Sequence, residues 1–153
     1  GLGSIGGFLA TISEVDWAFA KEIIDKYKAG ILEALDDKIA RAGLGSIGGF
    51  LATISEVDWA FAKEIIDKYG EVIGDKMARA SLGEIKKFLV MIGDVNMELA
   101  KRVIAQNKVR IVNILKNKMT KGGRREIDSF FRTLIKINAR LAKKILESLW
   151  ELR

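Results

Sequence analysis

Apolar residues recur at three- and four-residue steps along most of the chain, and the pattern is clearest from residue 44 onward. The apolar positions there are Leu44, Ile47, Phe50, Leu51, Ile54 and Val57. This spacing places them on one face of an α-helix, whereas a half-buried strand would alternate apolar and polar residues. The segment therefore predicts an amphipathic helix, which we name helix A.

A second helix, helix B, is predicted directly after Asp58. An Asp or Asn side chain before a helix can accept hydrogen bonds from the free amides of the first turn, so it is typical of an N-cap. Apolar residues then fall on two sides of helix B, with Phe61 and Ile65 on one side and Ile66 on the other. A helix that is apolar on two sides is expected to lie between neighbouring helices.

The A–B pattern occurs four times. Residues 1–27 are identical to residues 43–69, and residues 81–107 and 123–148 match the same pattern at lower identity. The N-cap position holds an acid or amide in every copy, at Asp16, Asp58, Asn96 and Asn138, and Ser81 with Glu84 has the spacing of a capping box. A weaker third helix, helix C, is predicted after the first three copies, and it is short in the second, where only residues 70–80 remain.

A fixed period of about 40 residues predicts a repeat protein, because each unit alone exposes apolar faces that its neighbours must cover. We predict an all-α fold, a right-handed α-solenoid of about eleven helices, with the handedness taken from known solenoids. The predicted units of this single array are residues 1–42, 43–80, 81–122 and 123–153, each with two to three helices.

The helix order and spacing resemble armadillo repeats. In the first unit, FLATIS, AKEIIDKY and KAGILEAL are similar to that family's succession of three helical motifs, including the Ala-Gly before the third helix. HEAT-type repeats and the helical arrays that follow signalling NTPase modules in microbes are comparably similar. The resemblance implies recognition of proteins or peptides, without chemistry of the repeat's own.

The composition removes most catalytic and metal-binding chemistry. The chain has no His and no Cys, so a Ser-His-Asp triad and a thiolate metal site cannot form. Asp36 and Asp37 are the only adjacent carboxylates, and neighbours on a helix point in different directions. We therefore expect no enzyme activity, no cofactor and no metal.

No run reaches the roughly 18 apolar residues of a membrane span, and no basic segment of a signal peptide is visible, so we expect no membrane partner and a cytoplasmic location.

The sequence GLGSIG, at residues 1–6 and 43–48, satisfies the G-x-G-x-x-G pattern of dinucleotide-binding proteins. That fingerprint requires a preceding β-strand, and no strand precedes either copy. Our interpretation is that Gly45 shapes a turn, while Gly48 and Gly49 let a neighbouring helix approach closely.

Two sets of residues are candidates for binding a protein or peptide. Trp17 and Trp59 follow the helix B cap, where the other units have Met97 and Ala139, and Trp is enriched in binding hot spots. The preferred alternative is that each Trp covers the adjacent unit. Helix C of the third unit carries a polar stripe on one face, Gln106, Arg110, Asn113, Asn117 and Lys121. By resemblance to armadillo repeats, Asn113 and Asn117, with Arg110 beside them, could hold an extended peptide; a solvated face is the alternative.

Charge is distributed unevenly along the chain. Residues 1–80 contain 9 Lys and Arg against 13 Asp and Glu, and residues 81–153 contain 17 against 7. A basic loop at residues 120–125 leads into the fourth unit, and amides at a helix start can hold phosphate. The candidate phosphate or nucleic-acid contacts are Lys108, Lys118, Lys121, Arg124 and Arg125. The alternative is that these side chains only keep the surface soluble.

Three hypotheses of function follow. The leading one is a non-enzymatic helical-repeat scaffold that binds a protein or peptide, or associates with itself to form a homo-oligomer. The first unit starts with the same apolar residues as the internal copy, whereas a capping repeat would be more polar. The second is nucleic-acid or phosphate binding by the basic half. The third is a designed or fragmentary chain whose only property is its fold, since two identical copies indicate either recent duplication or deliberate design.

Overall fold

The computed structural model describes residues 1–151, with side chains through residue 150, and this part of the chain is all-α. Its nine helices are α1 (Leu2–Val15), α2 (Trp17–Arg41), α3 (Leu44–Val57), α4 (Trp59–Lys68), α5 (Gly70–Arg79), α6 (Leu82–Val95), α7 (Met97–Gln106), α8 (Lys108–Thr120) and α9 (Arg124–Glu151). The last two residues of the predicted fourth unit, 152–153, lie outside the described residues.

The described residues form nine helices rather than the predicted eleven, because one pair of predicted helices is continuous and a second pair is joined across a kink. Helices B and C of the first unit form the single helix α2, and helices A and B of the fourth unit form α9. Within α9, Asn138 alone has non-helical dihedral angles, φ −157° and ψ 92°, so it marks a kink where a break was predicted.

Local chemistry explains why helices B and C separate in the second and third units. Asn107 donates a side-chain hydrogen bond to the Val103 carbonyl at 2.9 Å, and such bonds compete with the helical ladder. Tyr69 is followed by Gly70, a weak helix former. The first unit has Lys28 and Ala29 after Tyr27, and neither residue interrupts the helix.

The predicted caps are confirmed. Each of the four Asp and Asn side chains accepts a hydrogen bond from a first-turn amide, in the pairs Asp16–Phe19, Asp58–Phe61, Asn96–Glu98 and Asn138–Leu141 at 3.0–3.2 Å. Ser81 and Glu84 form the predicted capping box. These contacts satisfy amides that have no partner within the helix, and therefore set where each helix begins.

Equivalent helices of successive units pack on one another in chain order. Helix α1 packs on α3, α3 on α6, and α6 on the first part of α9, while α4 packs on α7 and α5 on α8. Each junction buries one equivalent aromatic ring, at Phe50, Phe88 and Phe130. The helices therefore form a continuous apolar core that every unit shares with its neighbours.

The close approach of the A helices depends on glycine at one position. A Cβ atom on Gly48 would lie 3.0 Å from the Phe88 ring, whereas one on Gly49 would meet only the Met91 sulfur, at 3.8 Å. The interpretation that Gly48 admits a neighbouring helix is therefore confirmed. The interpretation of Gly45 as a turn residue is wrong, because it lies inside α3 and no atom approaches its Cβ position.

Candidate protein-binding face

The two identical stretches of sequence lie in different environments. Four apolar side chains are exposed in the first unit, whereas their equivalents in the second unit are buried. The exposed fraction falls from 60% at Phe8 to 3% at Phe50, and from 86% at Val15 to 2% at Val57. It falls from 50% at Phe19 to 1% at Phe61, and from 55% at Tyr27 to 5% at Tyr69. Ile5, Ile12 and Ile23 are likewise partly exposed where Ile47, Ile54 and Ile65 are fully buried, whereas Ile24 and Ile66 are both fully buried. Because the residues are the same, the difference arises from the neighbours on one side of each unit.

In the second unit this side is covered by the first unit. The Trp17 indole donates a hydrogen bond to the Val57 carbonyl at 2.8 Å. The Tyr69 hydroxyl bonds to the Leu32 carbonyl at 2.7 Å and to the Asp36 carboxylate at 2.5 Å. These bonds surround an apolar contact between α1 and α3. The covering surface is therefore built from one helical unit, with polar contacts at its edges.

One further polar contact borders the same junction, and two of these contacts shift pKa values. Lys28 forms an ion pair with Glu64 at 2.9 Å, and that hydrogen bond raises the pKa of Lys28. The hydrogen bond from Tyr69 lowers the pKa of Asp36, and burial together with Asp36 raises the pKa of Tyr69. Because Tyr69 keeps its proton and Asp36 its charge, the pair acts as a fixed structural contact between the units.

In the first unit the equivalent side forms an open groove of about 720 Å³ between α1 and α2. Its apolar lining, which we call the N-terminal face, consists of Ile5, Phe8, Leu9, Phe19, Ile23, Tyr27 and Ile31. Glu22 and Lys26 also line this groove and supply charges of both signs. Aromatic side chains surrounded by polar groups are the usual composition of a protein-binding surface. The sequence indicated that this end of the chain is apolar, but none of these aromatic residues was predicted as part of a binding site.

A second apolar surface lies in the fourth unit, where the sequence predicted phosphate or nucleic-acid contacts at Arg124 and Arg125 but no apolar site. A cavity of about 460 Å³ has an apolar lining that we call the C-terminal face, Met119, Ile127, Phe131, Leu146, Leu149 and Trp150. Arg124 and Asp128 also line this cavity. Leu146 is 44% exposed, although Ile24 and Ile66 at the equivalent positions are fully buried. The signal was available, because helix B of the fourth unit repeats the apolar pattern of helix B in the other units.

The two Trp candidates lie at unit boundaries and are half-exposed. Trp17 is held by its hydrogen bond to Val57, so it covers the adjacent unit as the alternative interpretation proposed. Trp59 borders a small cavity with Glu98, Leu99 and Arg102 of the third unit. Neither indole is part of the N-terminal face.

The polar stripe on α8 is divided between two environments. Arg110 is bound by two carboxylates of the second unit, Asp75 at 2.5 Å and Glu71 at 2.7 Å. The hydrogen bond with Asp75 raises the pKa of Arg110 and lowers that of Asp75. Asn113 and Asn117 are exposed. Arg110 is therefore engaged within the array, which leaves the two Asn residues as the accessible part of the proposed peptide-binding stripe.

The basic candidates surround the turn between α8 and α9. Lys121, Arg124 and Arg125 are exposed there, and Lys108 and Lys118 are partly buried on α8. The turn is sharp because Gly122 has a φ of +80°, which favours glycine. All ion pairs among the described side chains involve residues between Lys28 and Arg110, so the charges near this turn remain available to solvent.

Comparisons with protein-family models, with curated proteins and with solved structures gave no match to this chain. Among the described side chains, no three carboxylates converge closely enough to hold a metal ion. None of the helices in residues 1–151 has both the length and the apolar character that crossing a bilayer would need.

Proposed function

We propose that this protein is a non-enzymatic helical-repeat scaffold whose N-terminal face binds a helical segment of a protein. One observation carries the proposal: the residues of this face occur a second time in the chain, and there they are buried by helices. Phe50, Phe61 and Tyr69 show which kind of surface these side chains accept. The same residues at Phe8, Phe19 and Tyr27 are suited to the same kind of ligand.

The size and chemistry of the groove support a protein ligand. Burying one large apolar side chain contributes about 1.5–3 kcal/mol, so three half-exposed aromatic rings provide a substantial driving force. The groove is open along two helices, which suits an extended helical surface. Glu22 and Lys26 can fix the orientation of the ligand by charge.

The architecture that we propose for this scaffold is a right-handed α-solenoid of the armadillo or HEAT kind. The order of packing supports it, because each A helix contacts the A helix of the next unit along α1, α3, α6 and α9.

A selection from a displayed library of amphipathic helical peptides tests the proposal. Peptides that bind the native protein are expected to lose at least about tenfold in affinity for Phe8→Glu, as for a binding hot spot. The matched control is Val109→Glu, which places the same charge at an apolar position that is 73% exposed on α8, away from the face. Equal binding to native protein, Phe8→Glu and Val109→Glu would contradict the proposal.

A second candidate function is binding of nucleic acid or phosphate near residues 108–125. It is favoured by the unpaired charges around the α8–α9 turn, where Lys121, Arg124 and Arg125 are exposed. Binding of this kind weakens steeply as salt increases. A mobility-shift assay at low salt with single- and double-stranded DNA and RNA tests it, with Arg124→Glu/Arg125→Glu as the variant. Absence of a shift for the native protein rules it out.

A further inference from the structure

We infer that a groove between the third and fourth units binds an acidic segment of a partner protein, one that combines carboxylates with aliphatic side chains. This groove, which we call the basic groove, lies between α6 and the first part of α9 and has a volume of about 410 Å³. It shares no residue with the N-terminal face. Its ligand would therefore be bound in addition to the helical ligand of that face.

The charges that line the basic groove are mostly positive. The cations are Lys86 on α6 with Arg132 and Lys136 on α9, and Asp94 on α6 is the carboxylate. Among the described side chains, none of these charged groups forms an ion pair. The lining therefore carries an excess of positive charge, which the carboxylates of a ligand would balance.

Lys86 is held in place inside the basic groove. Its ammonium group donates a hydrogen bond to the Ser129 hydroxyl at 2.8 Å, which links α6 to α9. A lysine ammonium has further N–H donors besides this one, and they remain available to a ligand. Because the Ser129 hydroxyl accepts this bond, its own proton can be donated as well. A carboxylate that enters between the two helices would meet donors that need little reordering.

Most of the remaining lining is apolar. Leu89 and Ile137 are buried there, while Val90 and Met97 are each 40% exposed. Among the described residues, no aromatic one lines this groove. Single-stranded nucleic acid is usually bound by aromatic rings that stack on its bases, whereas aliphatic side chains beside cations suit an acidic peptide. The composition therefore favours a protein ligand over nucleic acid.

The repeat itself does not require the cations of α9. The equivalent positions in α6 hold Val90 and Asp94 in place of Arg132 and Lys136, and both helices pack into the same stack. A partly equivalent cavity of about 310 Å³ between α1 and α3 has no charged residue in its lining. The positive charge is therefore specific to the junction between the third and fourth units.

The basic groove lies where the Gly48–Phe88 contact is not repeated. The Phe88 ring and the Met91 sulfur lie 3.0 and 3.2 Å from the Cβ position of Gly48. The equivalent residues at the next junction are Lys86, which is larger than glycine, and Thr133, which is smaller than methionine. Helix α6 packs less closely on α9 than on α3. The residue that replaces glycine at this junction therefore also supplies one of the groove's charges.

A selection from a displayed library of peptides that combine Asp and Glu with aliphatic residues provides the test. Fluorescence anisotropy then measures the affinity of a selected peptide, beside a matched peptide that has Asn and Gln in place of its acids. The groove variant is Arg132→Glu/Lys136→Glu. Its matched control is Arg124→Glu/Arg125→Glu, which makes the same change of charge at exposed positions of α9 outside the groove.

A second groove variant serves if the charge reversal fails a check of helicity by circular dichroism. Arg132→Val/Lys136→Asp installs the residues of the preceding unit, which already pack in this stack. It removes the positive charge of α9 from the groove and leaves the apolar lining unchanged.

The native protein is expected to bind the acidic peptide more tightly than the amide peptide, with an affinity that decreases as salt increases. Either groove variant should lose at least about tenfold in affinity, as for a binding hot spot. The control variant should bind as the native protein does. Phe8→Glu should also bind normally, because the N-terminal face is a separate site.

Four results would overturn the inference. The first is a library that yields no peptide whose binding depends on its acids, and the second is an equal loss of affinity in the groove and control variants. The third is loss of peptide binding in Phe8→Glu, which would assign the peptide to the N-terminal face. The fourth is an oligonucleotide shift in a mobility-shift assay that only the groove variant abolishes, because nucleic acid would then be the ligand.

Discussion

Gly6 of α1 lies against the aromatic ring of Phe50 in α3, and the same relationship recurs one unit later between Gly48 and Phe88. A Cβ atom on Gly6 would lie 3.3 Å from the Phe50 ring, and one on Gly48 would lie 3.0 Å from the Phe88 ring. The missing side chain on one helix makes room for the ring on the next. At these two junctions the contact explains how two apolar helices approach closely enough to bury an aromatic ring; at the third, Lys86 stands at the position of the glycine and Phe130 is still buried.

The Gly48–Phe88 contact predicts opposite effects for alanine at two glycines of the same repeated motif. Gly7→Ala should raise the free energy of unfolding by about 0.5–1 kcal/mol, because its Cβ meets no atom within 4 Å and Ala favours helix. Gly48→Ala should instead lower it by about 1 kcal/mol, because a fully packed ring must move. Urea denaturation of both variants gives the measurement. Equal stabilisation by the two substitutions would show that the close contact is absent.

The two copies predict different costs for the same substitution. Phe61→Ala should lower the free energy of unfolding by about 3–5 kcal/mol, because the ring is buried and leaves a cavity. Phe19→Ala should lower it by less than about 1 kcal/mol, because half of that ring is already in solvent. The sequence around the two residues is identical, so each variant is the control for the other. Equal losses in thermal or urea denaturation would contradict the assigned environments.

The kink in α9 predicts a specific role for Asn138. Its side chain accepts a hydrogen bond from the Leu141 amide at 3.1 Å, so Asn138→Ala should cost about 1 kcal/mol of stability. Asn138→Asp should change stability by only a few tenths of a kcal/mol, because Asp occupies this place in the first two units. Chemical denaturation of both variants tests the difference. An Ala variant as stable as the Asp variant would mean that the cap contributes nothing.

Ion pairs between the second and third units predict a loss of stability in acid. Hydrogen bonds from Arg102 and Arg110 lower the pKa of Asp67 and Asp75, respectively, below the ordinary value of 3.8. Over the range between the unfolded and folded pKa values the unfolded chain binds more protons, so stability decreases as pH falls through that range. The contribution of these ion pairs to the free energy of unfolding is complete well above pH 3.8. Urea midpoints measured between neutral and strongly acidic pH should show this decrease.

The matched control for the acid effect is the double variant Asp67→Asn/Asp75→Asn, which cannot take up these protons. It should be less stable than the native protein at neutral pH and should lose less stability on acidification. These groups are largely exposed, so the difference should shrink in high salt. An unchanged acid dependence in the double variant would assign the effect to other carboxylates.

The local elements of this fold could be predicted because their causes are local. Asp16 and Asn138 cap helices through hydrogen bonds to amides three residues later, and such contacts depend only on nearby sequence. The continuity of α2 was missed because it depends on the absence of an interrupting interaction, such as the side-chain bond of Asn107. That bond is weak compared with helix packing, and periodicity alone does not reveal it.

The sequence indicated which end of the chain carries the candidate site, but not which of its residues are exposed. Repetition indicated an apolar first unit, yet Phe8 and Phe50 are the same residue in the same local sequence, so no local pattern could distinguish them. Their exposures differ because of neighbours distant in the chain. The sequence placed Arg110 in a binding stripe because its ion pairs are not visible in the local pattern. Its partners, Glu71 and Asp75, lie in the preceding unit.

Hydroxyl-radical footprinting of the dilute protein tests the central claim most directly, because residues 1–27 and 43–69 have the same intrinsic reactivity. Trypsin separates the copies, since the peptide with Phe50 begins at Ala42, after Arg41. Trp17 and Trp59, at 52% and 50% exposed, are internal controls that should be labelled equally. We expect Phe8 and Phe19 to be labelled strongly and Phe50 and Phe61 to be protected. Equal labelling of Phe8 and Phe50 beside equal labelling of the two Trp residues would contradict the account.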